Sequence, residues 1–248
     1  MTVRWEESGW EALGARAGRT RLPGWDCTAG LVVGEHGALM IDAGSGPGEG
    51  ARLCADARRL LAPLGGDRRV THLAFTHPHF DHVFGAAAFA DAEVFGAVGV
   101  DAVLACERDA LVADAVRHGL DAAEAARAGE ALVRPRHPVC GERMLDLGGV
   151  RVLLANLGPA HTAHDLAVFV PGSVPGEREV VFCGDLVEES GEPQAGPDAV
   201  PARWPAALDR LLALGGPDAL YVPGHGAVVD AAFVRAQRDE LAARFGVS

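Results

Sequence analysis

Short apolar runs bounded by Gly, Pro and Asp alternate along this chain with helix-length segments of mixed character. Cys27–Val33 and Ala38–Ile41 flank Gly34-Glu35-His36-Gly37 and predict a β-hairpin. Val3–Trp5 reads as a short edge strand and Leu22-Pro23-Gly24-Trp25 as a turn. Gly50–Leu64 carries apolar residues at helical spacing and stops at Pro63-Leu64-Gly65-Gly66. Val70–Phe75 reads as a buried strand, Val83–Ala90 as helix and Ala92–Phe95 as a further strand.

Asp101–His118 and Asp121–Leu132 are Ala-rich with interspersed charges and predict two helices separated at Gly119. Pro135–Cys140 is read as irregular. Arg143–Leu147 and Val150–Ala155 form a second hairpin around Gly148-Gly149. Leu166–Val170, Val180–Phe182 and Ala219–Val222 are strands; Arg203–Leu214 and Ala231–Phe245 are helices, the last capped by Asp230. No Ser- or Pro-rich linker and no short repeat divides the chain, so residues 1–248 read as one domain of mixed α and β class.

Composition narrows the function. Nearly half of the residues are apolar (49%), enough for a sizeable core, and the formal net charge is −12. An acidic chain without a Lys/Arg run repels phosphate backbones, so nucleic acid is not an expected partner. No apolar run is long enough to span a membrane, and Met1–Glu7 has no apolar signal core. Cys27, Cys54, Cys106, Cys140 and Cys183 are odd in number and scattered, which suggests reduced, mostly buried thiols and a cytoplasmic protein.

The chemistry concentrates in Thr76-His77-Pro78-His79-Phe80-Asp81-His82, directly after the Val70–Phe75 strand. Pro78 favours an extended backbone at His77, and residues two apart in an extended segment face the same way. His77 and His79 can therefore grip one ion, with Asp81 and His82 facing a second after the chain turns. Imidazole and carboxylate donors suit zinc, and also iron or manganese. Three later turns, each after an apolar run, add His161 in Gly158-Pro159-Ala160-His161-Thr162, Asp185 in Phe182-Cys183-Gly184-Asp185, and His225 in Val222-Pro223-Gly224-His225-Gly226.

In order and spacing this set resembles the signature of the metallo-β-lactamase superfamily, from the first hairpin to His225. The resemblance implies an α+β fold, a four-layer αββα sandwich in a single domain. It implies two zinc ions: His77, His79 and His161 on the first, Asp81, His82 and His225 on the second, and Asp185 bridging both. A hydroxide shared by the ions would cleave an ester, thioester, lactone or related carbonyl substrate, with Asp81 as the catalytic carboxylate that orients it and relays its proton. Asp42, in Ile41-Asp42-Ala43-Gly44, is either a simple turn residue or the acceptor that fixes a ligand histidine.

The substrate is a small molecule whose identity stays open, as does the oligomeric state. Glu188 stands where one branch of β-lactamases carries a lysine for the drug carboxylate, and Asp185 where that branch uses a cysteine. Glyoxalase II-like enzymes share the ligand set but carry a further helical domain, and this chain is expected to lack it. Lactonases share it too, but their substrate-side tyrosine has no match, since Tyr221 lies inside a strand. A persulfide dioxygenase-like site would need one iron on two histidines and an aspartate. Trp25 and Trp204 either line a pocket or pack; the Glu188–Pro201 loop is a candidate for substrate contacts. His36, His72, His118 and His137 are read as structural, His164 as a neighbour of a loop-bonding Asp165, and Cys183 as buried and not ligating.

Overall fold

The computed structural model describes residues 3–65 and 68–247. Among the described residues twelve strands form two sheets. The first runs in chain order: β1 (Glu11–Ala12), β2 (Ala17–Arg21), β3 (Thr28–Val33), β4 (Ala38–Ile41), β5 (Val70–Ala74), β6 (Glu93–Ala97) and β7 (His137–Val139). The second contains β8 (Glu142–Asp146), β9 (Arg151–Asn156), β10 (Leu166–Val170), β11 (Val180–Glu188) and β12 (Leu220–His225), in the order β12-β11-β10-β9-β8. β4 through β7 pair in parallel, as do β11 and β12; the remaining pairs are antiparallel.

Alternation along the strands explains the layering. Leu166, Val168 and Val170 of β10 and Val180 and Phe182 of β11 join the core between the sheets, while Ala167, Val181 and Cys183 join a second core. The Phe182 ring sits where a Cβ on Gly30 of β3 would be, so the two sheets meet directly there. Helix α1 (Pro47–Leu61) packs on β3 and β5, and α6 (Trp204–Gly215) on β10, β11 and α7 (Ala231–Phe245). The short α2 (Phe80–Val83) and α3 (Val100–Cys106), α4 (Arg108–Arg117) and α5 (Ala122–Glu130) complete the helices on the first side. The result is the expected four-layer αββα sandwich. Asp230 caps α7 as expected, accepting from Phe233 N–H, and at the start of α5 the Asp121 carboxylate accepts from Ala123 and Glu124 N–H.

Several elements differ from the sequence reading. Val3–Trp5 is not a strand; the edge is instead made by β1 and β2. The segment 101–118 is two helices, because Glu107 leaves helical geometry so that α3 can pack on β6 while α4 turns onto α2 and α5. Residues 137–139 pair with β6 as an edge strand, a position that tolerates Pro138. The expected helix at 83–90 starts earlier, at Phe80, and continues as a separate turn at Ala86–Phe89. α1 begins at Pro47, and Gly66 of its expected stop lies outside the described residues, as do Met1 and Thr2. β11 runs on to Glu188 through two register shifts, so Asp185 lies within a strand and not after one. Among the described residues no helix is long and apolar enough to cross a membrane.

Candidate metal centre

The C-terminal ends of β4, β5, β11 and β12, and the loop after β9, open on one edge of the sandwich. His77 lies in the loop leaving β5, and His79 is the N-cap of α2, whose single turn carries Asp81 and His82. The loop from Leu157 to Asp165 presents His161. It is pinned by Asp165, whose Oδ1 accepts from Thr162 N–H and Oγ1–H at 2.9 Å each. Asp185 projects from β11 beside Gly224 of β12; a Cβ on Gly224 would fall 1.8 Å from Asp185 Oδ1, so that residue must be glycine for the carboxylate to enter. His225 is the last residue of β12.

All seven predicted residues converge. Their donor atoms form two groups. In the first, His161 Nε2 lies 3.2 Å from His79 Nδ1 and 3.5 Å from Asp185 Oδ2, which is 3.6 Å from His77 Nε2. In the second, His225 Nε2 lies 3.3 Å from both Asp81 Oδ2 and Asp185 Oδ2, and His82 Nε2 lies 3.2 Å from Asp185 Oδ1 and 3.6 Å from Asp81 Oδ2. A tetrahedral ion with bonds of about 2.0–2.1 Å holds its donors about 3.4 Å apart. The observed spacings match that edge length. His77 Nε2 and Asp185 Oδ1 are moreover buried without a hydrogen-bond partner, which fits atoms that would ligate an ion.

The outward-facing ring nitrogens decide which way the lone pairs point. His77 Nδ1 is 3.0 Å from Thr76 Oγ1, His79 Nε2 3.0 Å from Asp198, and His82 Nδ1 2.9 Å from Asp42. His161 Nδ1 is 3.1 Å from the Gln194 carbonyl and His225 Nδ1 2.6 Å from the Trp25 carbonyl. Each ring that donates outward turns a lone pair inward, as ligating histidines do. Asp42 is thus the orienting group for His82 and not a simple turn residue; its carboxylate also accepts from Thr76 N–H and Oγ1–H, both at 2.8 Å.

Burial pushes His77 well below the ordinary histidine value, helped by neighbouring His82, and takes His161 down to about 4. Burial opposes charge at His225 too, but Asp185 and Asp81 raise it to about 12; His82 is raised well above its ordinary value by Cys27, Asp81 and Asp185 against the same opposition. Despite burial, His225, His77 and His82 hold Asp185 well below the usual carboxylate range, and His82 and His225 hold Asp81 below it. Without an ion the second group is a mesh of imidazolium and carboxylate; the first keeps neutral imidazoles at His77 and His161.

Trp25 meets Phe80 edge-on at 5.4 Å between centroids, and its carbonyl holds His225, so it borders the centre. Trp204 is fully buried behind it, packing on the His161 ring and donating its indole N–H to the Leu186 carbonyl at 3.0 Å. His164 lies against Gly99, and His72 and His137 stack on Phe95; His118 stacks on Phe80. Cys183 faces away, its thiol on the Val181 carbonyl. Sequence reasoning missed Thr76, Gln194, Asp198 and Cys27. None of these lies in a spacing that marks a ligand; Asp198 reaches His79 from the loop after β11, which therefore positions a histidine.

Comparison with known proteins gives the family and the fold. A family model described as Metallo-beta-lactamase superfamily matches residues 22–225. A hydroxyacylglutathione hydrolase of Cupriavidus metallidurans is 37% identical over 98 residues, 40% of this chain; the matched stretch spans 31% of that curated relative's length. Among solved structures, a metallo-beta-lactamase from Pontibacter korlensis superposes with TM-score 0.70 at 19% identity, covering 94% of this chain and 97% of the other. The mono-zinc form of the metallo-beta-lactamase FIM-1 from Pseudomonas aeruginosa gives 0.67 at 18% identity, covering 100% and 98%. These two likenesses show the fold.

Proposed function

Since the chain belongs to the metallo-β-lactamase superfamily, we propose that it is a dinuclear metal-dependent hydrolase of a small acyl substrate. His77, His79 and His161 would hold the first ion and Asp81, His82 and His225 the second, with Asp185 offering an oxygen to each group. The carrying observation is that the outward nitrogens of all five histidines are engaged, leaving five lone pairs and two carboxylates facing one space.

Two divalent ions there, zinc by donor type, would polarise a carbonyl oxygen and bring a water's pKa towards neutrality. Asp81, ionised at neutral pH, faces both His82 and His225 through Oδ2; it orients the attacking water and carries its proton to the leaving group. Asp42 and Thr76 hold the rings of His82 and His77 against rotation, and Asp198 holds His79. The half-buried Trp25, backed by the buried Phe80, offers apolar surface to an acyl group.

The rim selects against an anionic substrate. The chain contains no lysine. Arg19 is taken up by Glu11 and the Gly226 carbonyl, and Arg21 by Asp26. The Glu188 carboxylate accepts from Ser190 N–H and Oγ–H, and Asp198 adds a further negative charge beside His79. An ester, lactone or thioester without a carboxylate near the scissile bond therefore fits better than a penicillin. The thioester option has added support in the partial likeness to a hydroxyacylglutathione hydrolase. Protein prepared without chelator is expected to carry close to two equivalents of metal and to hydrolyse members of a panel of lactones, thioesters and aryl esters faster than a chromogenic cephalosporin. A folded protein with less than about half an equivalent after zinc loading overturns the reading.

Proton competition adds a second test. His82 and His225 hold protons in the metal-free centre because their values are raised, so binding the second ion must expel them. Affinity for that ion is expected to rise with pH between ~6 and ~8, by up to about tenfold per unit for each proton released. At the first ion only His79, beside Asp198, is raised, while His77 and His161 are already neutral, so fewer protons leave and the profile should be flatter. Calorimetric titration in buffers of different ionisation enthalpy counts the protons; a second-ion affinity independent of pH contradicts the assignment.

A further inference from the structure

We propose that the loop 189–200 and the first ion order one another, so that this wall of the centre closes fully only when the first position is filled. Two of the three histidines of the first group have their outward nitrogen on this one loop. His79 Nε2 is 3.0 Å from Asp198 Oδ2, and His161 Nδ1 is 3.1 Å from the Gln194 carbonyl. The loop has no regular structure, and residues 190–192, 194 and 196–198 are exposed. Its anchors lie outside 194–199. The Glu189 carboxylate accepts from Ala227 N–H at 2.6 Å, and Val200 N–H donates to the Ala160 carbonyl at 2.8 Å. Arg244 of α7 donates to the Pro193 carbonyl at 2.8 Å and pairs with Glu192 at 3.0 Å. Between these anchors, the hydrogen bonds that 194–199 makes to the rest of the described residues are the two to His79 and His161. The Gln194 amide donates to the Glu192 carbonyl and Ala199 N–H to the Gly196 carbonyl, both within the loop, and Ala195 adds one methyl to the second core.

The histidines of the second group are held differently. His82 is bonded to Asp42, which is 2% exposed, and His225 to the carbonyl of Trp25, two residues before the backbone bridge between Cys27 and His225. Those partners are set by the fold itself; those of His79 and His161 are set by a loop. A neutral imidazole can carry its proton on either nitrogen. An ion on the inward nitrogen of His79 or His161 commits the proton to the outward one, where Asp198 or the Gln194 carbonyl accepts it. Ion and loop therefore favour the same tautomer, and the effect is reciprocal: the factor by which loop closure raises affinity is the factor by which the ion raises the closed population. A bond between partly exposed groups is worth little alone, so in the metal-free protein closure of 194–199 rests on little.

This rests on the dinuclear reading, and the test separates the two. Hydrogen exchange of the full chain is followed by mass spectrometry on peptides covering 189–200 as zinc is added. Imidazole resonances of His79 and His161 report the first position, and those of His82 and His225 the second. The loop amides are expected to exchange at least about tenfold more slowly once the first position fills, while the loop 172–178, at the other end of β11, keeps its rate. Asp198→Ala alters an exposed side chain, so the metal-free thermal transition stays in place. Its first-ion affinity falls about 10–100-fold and loop protection falls with it, whereas the second ion is retained. Asp198→Asn, which keeps an acceptor oxygen for His79 Nε2–H, restores most of both. Two bound ions with unchanged loop exchange overturn the coupling and leave the dinuclear centre standing. Equal weakening of both ions in Asp198→Ala also overturns it, because the loop would then support the edge of the sandwich and not the first position. A folded chain that takes up no zinc overturns both readings.

Discussion

Asp185→Asn is expected to yield a folded protein that keeps at most one tightly bound ion and loses about three decades of hydrolytic rate. The carboxylate faces four imidazoles: His77, His161 and His225 through Oδ2, and His82 through Oδ1. Asparagine has the same shape but no charge, and its amide presents hydrogens to one of the two groups of lone pairs. Polarisation and water activation by a paired centre are worth several kcal/mol, and each 1.4 kcal/mol or so is a factor of about ten. The same substitution removes the main partner that raises His225 to about 12, so the imidazole titration of the metal-free variant should shift strongly downwards. Nuclear magnetic resonance titration reads that shift independently of turnover. Because Asp185 is one side chain on a strand whose neighbours Leu186 and Val187 remain buried in place, the thermal transition should stay cooperative. A variant that retains two ions and native rates would remove the bridging role.

Those neighbours also show how much of the molecule could be read in advance. The hairpins and the helices α5, α6 and α7 were legible because apolar spacing and local signals agree there: Asp121 and Asp230 cap the helices that follow them. The seven converging side chains were legible because each follows an apolar run beside Gly or Pro in the sequence, although β11 runs through Asp185 and β12 through His225. What escaped depends on contacts far apart in sequence. β7 contains a proline and exists only because β6 offers a free edge. The break at Glu107 has no glycine or proline and reflects where α3 and α4 must pack. Asp198 and Gln194 reach their histidines from a loop of no regular structure, across separations of 119 and 33 residues. Cys27 reads as an ordinary buried thiol until the bridge to His225 places it beside His82. Local pattern reports propensity and periodicity; it carries no information about which distant loops close over an edge of the sandwich.

Asp42 is the position where stability and metal binding should fall together. It follows β4 with φ of +57°, a left-handed conformation that aspartate and asparagine tolerate better than alanine. In Asp42→Ala, Thr76 N–H and His82 Nδ1–H lose their acceptor within a buried space. Each orphaned donor costs about 1–3 kcal/mol, and left-handed alanine about 1–2 kcal/mol more, so a loss of about 3–8 kcal/mol is expected from denaturant melts of the metal-free protein. Asp42→Gly relieves the backbone cost but not the hydrogen bonds, and Asp42→Asn keeps the conformation and one acceptor oxygen; the order of stability should be native, Asn, Gly, Ala. The metal response is asymmetric. With Nδ1 released, the His82 ring can rotate or change tautomer, and second-ion affinity should drop about 10–100-fold. The first ion relies on His77, His79 and His161, of which only His77 touches this network, through Thr76 Oγ1. Its affinity should therefore change much less. Metal titration of Asp42→Asn, the variant closest to native stability, distinguishes orientation of His82 from general loosening: equal weakening of both ions would show that Asp42 supports the fold and not the ligand.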